Sequence, residues 1–326
     1  MRKTAIPSVI LASLIAPALP AAPAHAAGAK TWVANNGIDG PSCGAAATPC
    51  RTFQQAHNNV AAGGEVGVLI PGDYGQFAIG KSVNITNDGT GEAGVAAPAF
   101  LVAVQISAGV GDIVSLRGLV IDGHGQGERG IQINGATAVH IQNCVIKNFE
   151  AAGDGFGITL AVAGASQLFV SDTIIYDNGS NAGSAGIWIV PIGSGSANVV
   201  LDRVHLENNI SGLRVDGSFS SGNGNRVIVR DSVLSGNAAD GIDAITTAGH
   251  AETFVVLERS SVVNNAGTGI LASGSRVTAL LDDDTVARNA TGISAVDGGQ
   301  LISYGNNRIN NNTGPDGTPT GSYRPL

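Results

Sequence analysis

The stretch Val227-Ile228-Val229-Arg230-Asp231-Ser232-Val233-Leu234-Ser235-Gly236-Asn237-Ala238-Ala239-Asp240-Gly241-Ile242-Asp243-Ala244 decides the architecture. Its apolar residues alternate with period two in three short bursts, Val227/Val229, Val233 and Ile242/Ala244. Period two is the strand signature, and no helical period competes with it. The same phrase recurs along the chain: an aliphatic residue, two variable residues and Asn, then Gly followed by another aliphatic residue. Its asparagines are Asn148, Asn178, Asn209, Asn237, Asn265, Asn289 and Asn312, spaced 30, 31, 28, 28, 24 and 23 residues apart. Repeats of that length build solenoids, and three short strands per repeat make each repeat one coil of a parallel β-helix. A leucine-rich repeat shares the period, but its Leu-x-x-Leu-x-Leu frame is missing. The Asn has a physical reading: a short amide tolerates left-handed backbone at a tight turn and can bond the amide of the next coil. The Gly is expected to free the following turn from the constraint of a Cβ.

Composition agrees with a long repetitive domain. Of 326 residues 47 are glycine, while charged residues are 13 % and aromatics 4 % against 43 % hydrophobic. Typical domains carry roughly 7 % glycine and about 25 % charged residues, so coiled coils and most helix bundles are excluded. The interior must be small and β-branched. A formal charge of −8 argues against a nucleic-acid partner or an anionic membrane surface, which need a cationic face.

Residues 1–26 read as a secretory signal peptide. Arg2 and Lys3 precede the apolar run Val9 to Ile15, which is too short to span a bilayer, and Ala24-His25-Ala26 has the small-x-small cleavage form. Secretion to the periplasm or outside the cell follows, with no membrane span in the mature chain. Cys43 and Cys50 enclose a Gly/Ala/Pro loop that can close as a disulfide there. Cys144 sits in an apolar strand pattern and reads as a buried thiol.

The segments Thr31-Trp32-Val33-Ala34, Pro49-Cys50-Arg51-Thr52-Phe53, Gly63-Gly64-Glu65-Val66 and Pro71-Gly72-Asp73-Tyr74, followed by the Asn repeat, resemble the opening of secreted right-handed parallel β-helix proteins of the pectate-lyase-like superfold. The resemblance covers about residues 31–312. It implies an all-β, single-stranded right-handed parallel β-helix with three strands per coil, roughly nine coils and a short N-terminal capping helix. Phe53, Ala56 and Val60 fall on one face of that helix. The expected organisation is a signal peptide (1–26), a strand, disulfide loop and capping helix (27–64), the β-helix (65–312) and a C-terminal tail (313–326).

In enzymes of that superfold the substrate lies along the outer face of the first strand of each coil. Taking that strand as the one holding Val139, Val170, Leu201, Val229 and Leu257 inward, alternation turns His140, Phe169, Val200, Ile228 and Val256 outward on one row. Gln142, Ser171, Asp202, Arg230 and Glu258 form the next. Asp202, Arg230 and Glu258 are the catalytic candidates, two carboxylates flanking an arginine, as a glycosidase or lyase needs. The same three residues fit a plain ladder of alternating charge. The apolar row suggests cover by loops such as 180–185 or 217–226, a partner or an oligomer interface. Trp188, Arg214 and Asp243 follow the Gly-aliphatic step and are candidates for ligand binding, with Trp188 stacking on a sugar ring. Asp282, Asp283 and Asp284 are hard oxygen ligands that could hold calcium, although no calcium motif surrounds them, and no other metal or cofactor is implied. The leading expectation is a secreted β-helix that binds an extracellular or cell-surface polysaccharide, or another surface partner, without catalysis. The alternative is a polysaccharide lyase or glycoside hydrolase.

Overall fold

The computed structural model describes residues 28–323, and the expected leader lies outside them. The chain winds into a parallel β-helix of about nine turns whose strands stack into three sheets of 12, 10 and 9 strands. One coil runs Asn225–Arg230 in the first sheet, Val233–Ser235 in the second and Ile242–Ile245 in the third. Each strand pairs in parallel with its equivalent one coil away, as in Val227↔Val255, Leu234↔Val262 and Ile242↔Ile270. The inward residues Val227, Val229, Leu234, Ile242 and Ala244 are all at most 1 % exposed. That continuous column is the core.

The turns explain the recurring asparagines. Asn178, Asn209, Asn237, Asn265 and Asn289 are buried at the second-to-third-sheet corner, each accepting the backbone N–H of the equivalent residue one coil before. The side-chain amide of Asn178 donates to Asn209 Oδ1 at 2.9 Å, and that of Asn265 to Asn289 Oδ1 at 2.9 Å. The left-handed residue is the one before, namely Asp177, Asn208, Gly236, Asn264, Arg288 and Asn311. Asn148 is therefore one position out of register. It is itself the left-handed residue, and Phe149, fully buried, occupies the corner of that coil.

The repeated Gly also acts differently from the expectation. Gly241 has no left-handed backbone; a Cβ there would stand 2.4 Å from Val262 Cγ1 and 2.7 Å from the carbonyl of Gly269. Gly269 meets Gly292 in the same way. Close approach of successive coils, rather than turn conformation, requires glycine.

At the N-terminal end the helix Phe53–Asn59 lies over the first coil, with Phe53 packed on Tyr74 and Phe77 at ring-centroid distances of 4.9 and 5.2 Å. Thr52 caps it by accepting from Gln55 N–H. Val60 is buried but already extended, so it opens the next strand instead of completing the helix face. Cys43 and Cys50 form a disulfide. At the other end the segment 313–323 crosses the last coil, with Pro315 and Asp316 carbonyls accepting from Gly292 and Ile293. Both ends of the stack thus receive hydrogen-bonding cover where strand edges would stand open. No helix among the described residues is long and apolar enough to cross a membrane.

Candidate functional site

The outer face of the first sheet carries the expected rows. His140, Phe169, Val200, Ile228 and Val256 pair in consecutive register, as do Gln142, Ser171, Asp202, Arg230 and Glu258. Arg203, at a left-handed turn, bonds Asp172 at 2.7 Å and Asp202 at 2.8 Å, and Arg230 stands 3.3 Å from the same Asp202 oxygen. Glu258 lies 4.0 Å from Arg259, which is itself bonded to Asp231 at 2.9 Å. The three candidates are aligned, but each charge is engaged by a neighbour in a ladder along the shelf. The apolar row is not roofed by the chain's own loops, since Ile228 remains 38 % exposed.

Asp282, Asp283 and Asp284 face three different surroundings. Asp282 accepts from Asn306 on the sheet face, and Asp283 sits at a left-handed turn 3.6 Å from Arg308. Asp284 is fully buried and accepts the backbone N–H groups of Ser260 and Asp282. Burial pushes its carboxyl up to about 7. The three side chains do not share one cation position. Among the described residues one acid and cysteine cluster, Asp39 with Cys43 and Cys50, has ligand atoms close together, but its sulfurs are consumed in the disulfide.

The walls of the sheets differ. The first sheet is bordered on one side by two-residue turns, such as Asp231-Ser232, and is a shelf. The third sheet is entered by the segments 123–128, 148–155 and 177–184 on its earlier coils and left by 190–195, 217–224 and 246–252 on its later ones, so it is walled first on the entry side and then on the exit side, the two walls meeting at Ala185–Ile189. Along its outer face Gln132, Thr159, Trp188, Arg214 and Asp243 form one row on consecutive coils. The ligand-binding candidates therefore stand together on this face.

Their surroundings are built from neighbouring loops. Trp188 stacks on Phe156 at 4.7 Å, and the Arg129 guanidinium lies 5.6 Å from the Phe156 ring. Arg129 bonds Asp154 at 2.7 Å and Gln132 at 2.6 Å and stands 3.5 Å from Glu128. Arg214 lies 3.6 Å from both Asp216 and Asp243. Burial, reinforced by the neighbouring Asp154, raises the Glu128 carboxyl above its ordinary range. Burial likewise raises Asp243, with Arg214 pulling the other way, and burial raises Asp240. Arg129 Nε, Thr159 Oγ1 and Trp188 Nε1 are buried without a hydrogen-bond partner, and Arg214 Nε has only its ion pair with Asp243. At the N-terminal end of the same face lies a cavity of about 270 Å³ lined by Gln54, Gln76, Phe77, Gln105 and Glu128.

Sequence reasoning missed Glu128, Arg129 and Asp154. Glu128 and Asp154 stand in entry loops of unequal length, where no period places them. The available signal was the length of those loops between repeat asparagines.

The family model described as "Right handed beta helix region" matches residues 102–253. Among solved structures the chain is similar to pectate lyase Pel9A, at 16 % identity and a TM-score of 0.59, covering 84 % of this chain and 74 % of that one. It is also similar to an alginate lyase from Paenibacillus sp. str. FPU-7, at 14 % identity and a TM-score of 0.53, covering 90 % of this chain and 99 % of that one. No curated protein matches. The fold is a right-handed parallel β-helix of the pectate-lyase-like kind.

Proposed function

We propose that this is a secreted polysaccharide-binding β-helix whose ligand lies in the walled groove of the third sheet. The observation that carries the reading is the row of Trp188, Arg214 and Asp243, partly exposed on consecutive coils of one face. An indole followed along the stack by a guanidinium and a carboxyl suits a hydroxyl-rich chain running along the coils, its rings stacking on the one and its hydroxyls bonding the others. Phe156, buried, packs on one face of the Trp188 ring and fixes its orientation. The printed names of the two similar structures, a pectate lyase and an alginate lyase, are in keeping with a polysaccharide ligand. The disulfide supports an oxidising compartment, and the N-terminal sequence supports export.

One observation favours a catalytic version of the same site. Glu128 keeps its proton to higher pH beside Asp154, and Arg129 bridges both. An acid and a carboxylate so arranged can serve as proton donor and acceptor in a lyase or hydrolase.

The deciding experiment incubates the purified protein with polygalacturonate, alginate and a neutral β-glucan, with and without calcium. It reads retention in affinity gels together with reducing ends and unsaturated products. Retention without products, lost in Trp188→Ala, is the expected result. Unchanged retention in Trp188→Ala overturns the groove as the site, and product formation abolished by Glu128→Gln replaces binding with catalysis.

A further inference from the structure

The first sheet holds a second feature, away from the walled groove. On its outer face Glu65, Asn84, Ser115 and His140 pair in consecutive register over four coils. Three steps of ~4.8 Å make a slot of roughly 14 Å between Glu65 and His140. A cavity of about 360 Å³ occupies it, within the size range of small-ligand sites, and Thr86, Arg117 and Gln142 of the next row form its side.

Its end wall is an aromatic platform. The His140 ring stacks on Phe169 at 4.8 Å with an interplanar angle of 8°, which closes one face of the imidazole. The next residue toward the slot is Ser115, whose small side chain leaves the opposite ring face open. Burial lowers the His140 pKa, so the ring is neutral at pH 7. The opposite end is braced by Lys30, bonded to Glu65 at 2.7 Å and lying over the Trp32 ring at 4.2 Å.

The charges of the slot are already matched. Glu65 is held by Lys30, and Arg117 stands 3.4 Å from Asp88. The charges of Lys30, Glu65, Arg117 and Asp88 sum to zero, so the slot gives a net charge no overall attraction, whereas Asn84, Thr86, Ser115 and Gln142 offer amide and hydroxyl groups along the whole length. A flat platform with neutral hydrogen-bonding sides matches a sugar ring, apolar on its face and polar at its edge.

We propose that the slot between Glu65 and His140 is a second saccharide site, taking a neutral disaccharide-sized ligand with one ring stacked on His140. It is a pocket for a short sugar, independent of the groove that takes the polymer.

Titration calorimetry of the full chain with cellobiose, maltose and lactose tests it. At least one sugar is expected to bind the wild type. His140→Ala is expected to weaken that binding by tenfold or more, while His140→Phe, which keeps a ring on Phe169, restores most of it. Trp188→Ala is expected to leave it unchanged. Absence of binding by all three sugars overturns the proposal. So does a loss that follows Trp188→Ala and spares His140→Ala, which would put the sugar in the groove.

Discussion

Asn237 donates its side-chain amide to Asn265 Oδ1 at 2.8 Å while its own Oδ1 accepts the backbone N–H of Asn209 at 3.0 Å. All three residues are at most 2 % exposed. One side chain therefore ties three coils at a corner that water does not reach.

Asn237→Ala should leave the Asn209 N–H buried and unpaired and remove the bond to Asn265. A loss of about 2–4 kcal/mol is expected from one or two unsatisfied groups, read as a lower midpoint in urea unfolding. A shift no larger than that of an exposed alanine substitution would show that the amide stack contributes little.

Asp284 makes stability depend on pH. Its folded pKa of about 7 lies above that of an unfolded aspartate, so its contribution is complete below about pH 4 and is lost as pH rises toward 7. Asp284→Asn should flatten the fall in melting temperature between pH 4.5 and 7.5. Asp172 and Asp231, whose pKa values are lowered chiefly by bonds from Arg203 and Arg259, act in the opposite sense and only at more acid pH. A variant whose profile parallels the wild type would place the titration elsewhere.

The cysteines should differ in chemistry. Cys144 is buried and its thiol is pushed up to about 11, so alkylation at pH 8 should fail in the native protein and label one thiol per chain after denaturation without reductant. Reducing Cys43–Cys50, which are seven residues apart, should cost about 2–3 kcal/mol at the N-terminal cap. Calorimetry with and without reductant measures it.

Asp202→Ala should change stability by no more than about 1 kcal/mol, because its partners Arg203 and Arg230 are about half exposed. Polysaccharide retention should survive it. Retention lost in Asp202→Ala and kept in Trp188→Ala would move the ligand to the first sheet.

Much of this was legible in the chain. The spacing of the phrase around Asn178, Asn209 and Asn237 is local, and period-two alternation assigns Val229 inward and Arg230 outward without reference to any neighbour. Because coils stack in register, the repeat also aligns Asp202 with Arg230 and Trp188 with Arg214. The slip at Asn148 arose because two adjacent corner positions, one left-handed and one buried, both accept asparagine. The role of Gly241 was hidden for a related reason, since its crowding comes from Val262 and Gly269 on the next coil.

The sequence by itself determined the coil, its period and the side chains that share a row, since all three follow from alternation and turn chemistry within one repeat. Only the tertiary structure decided which sheet is walled. Irregular loops such as 148–155 and 177–184 obey no period, and their packing brings Glu128, Arg129 and Asp154 beside Phe156 and Trp188. Burial also raises the Glu128 and Asp243 carboxyls, and burial depends on what lies overhead, not on the residue's place in its own strand.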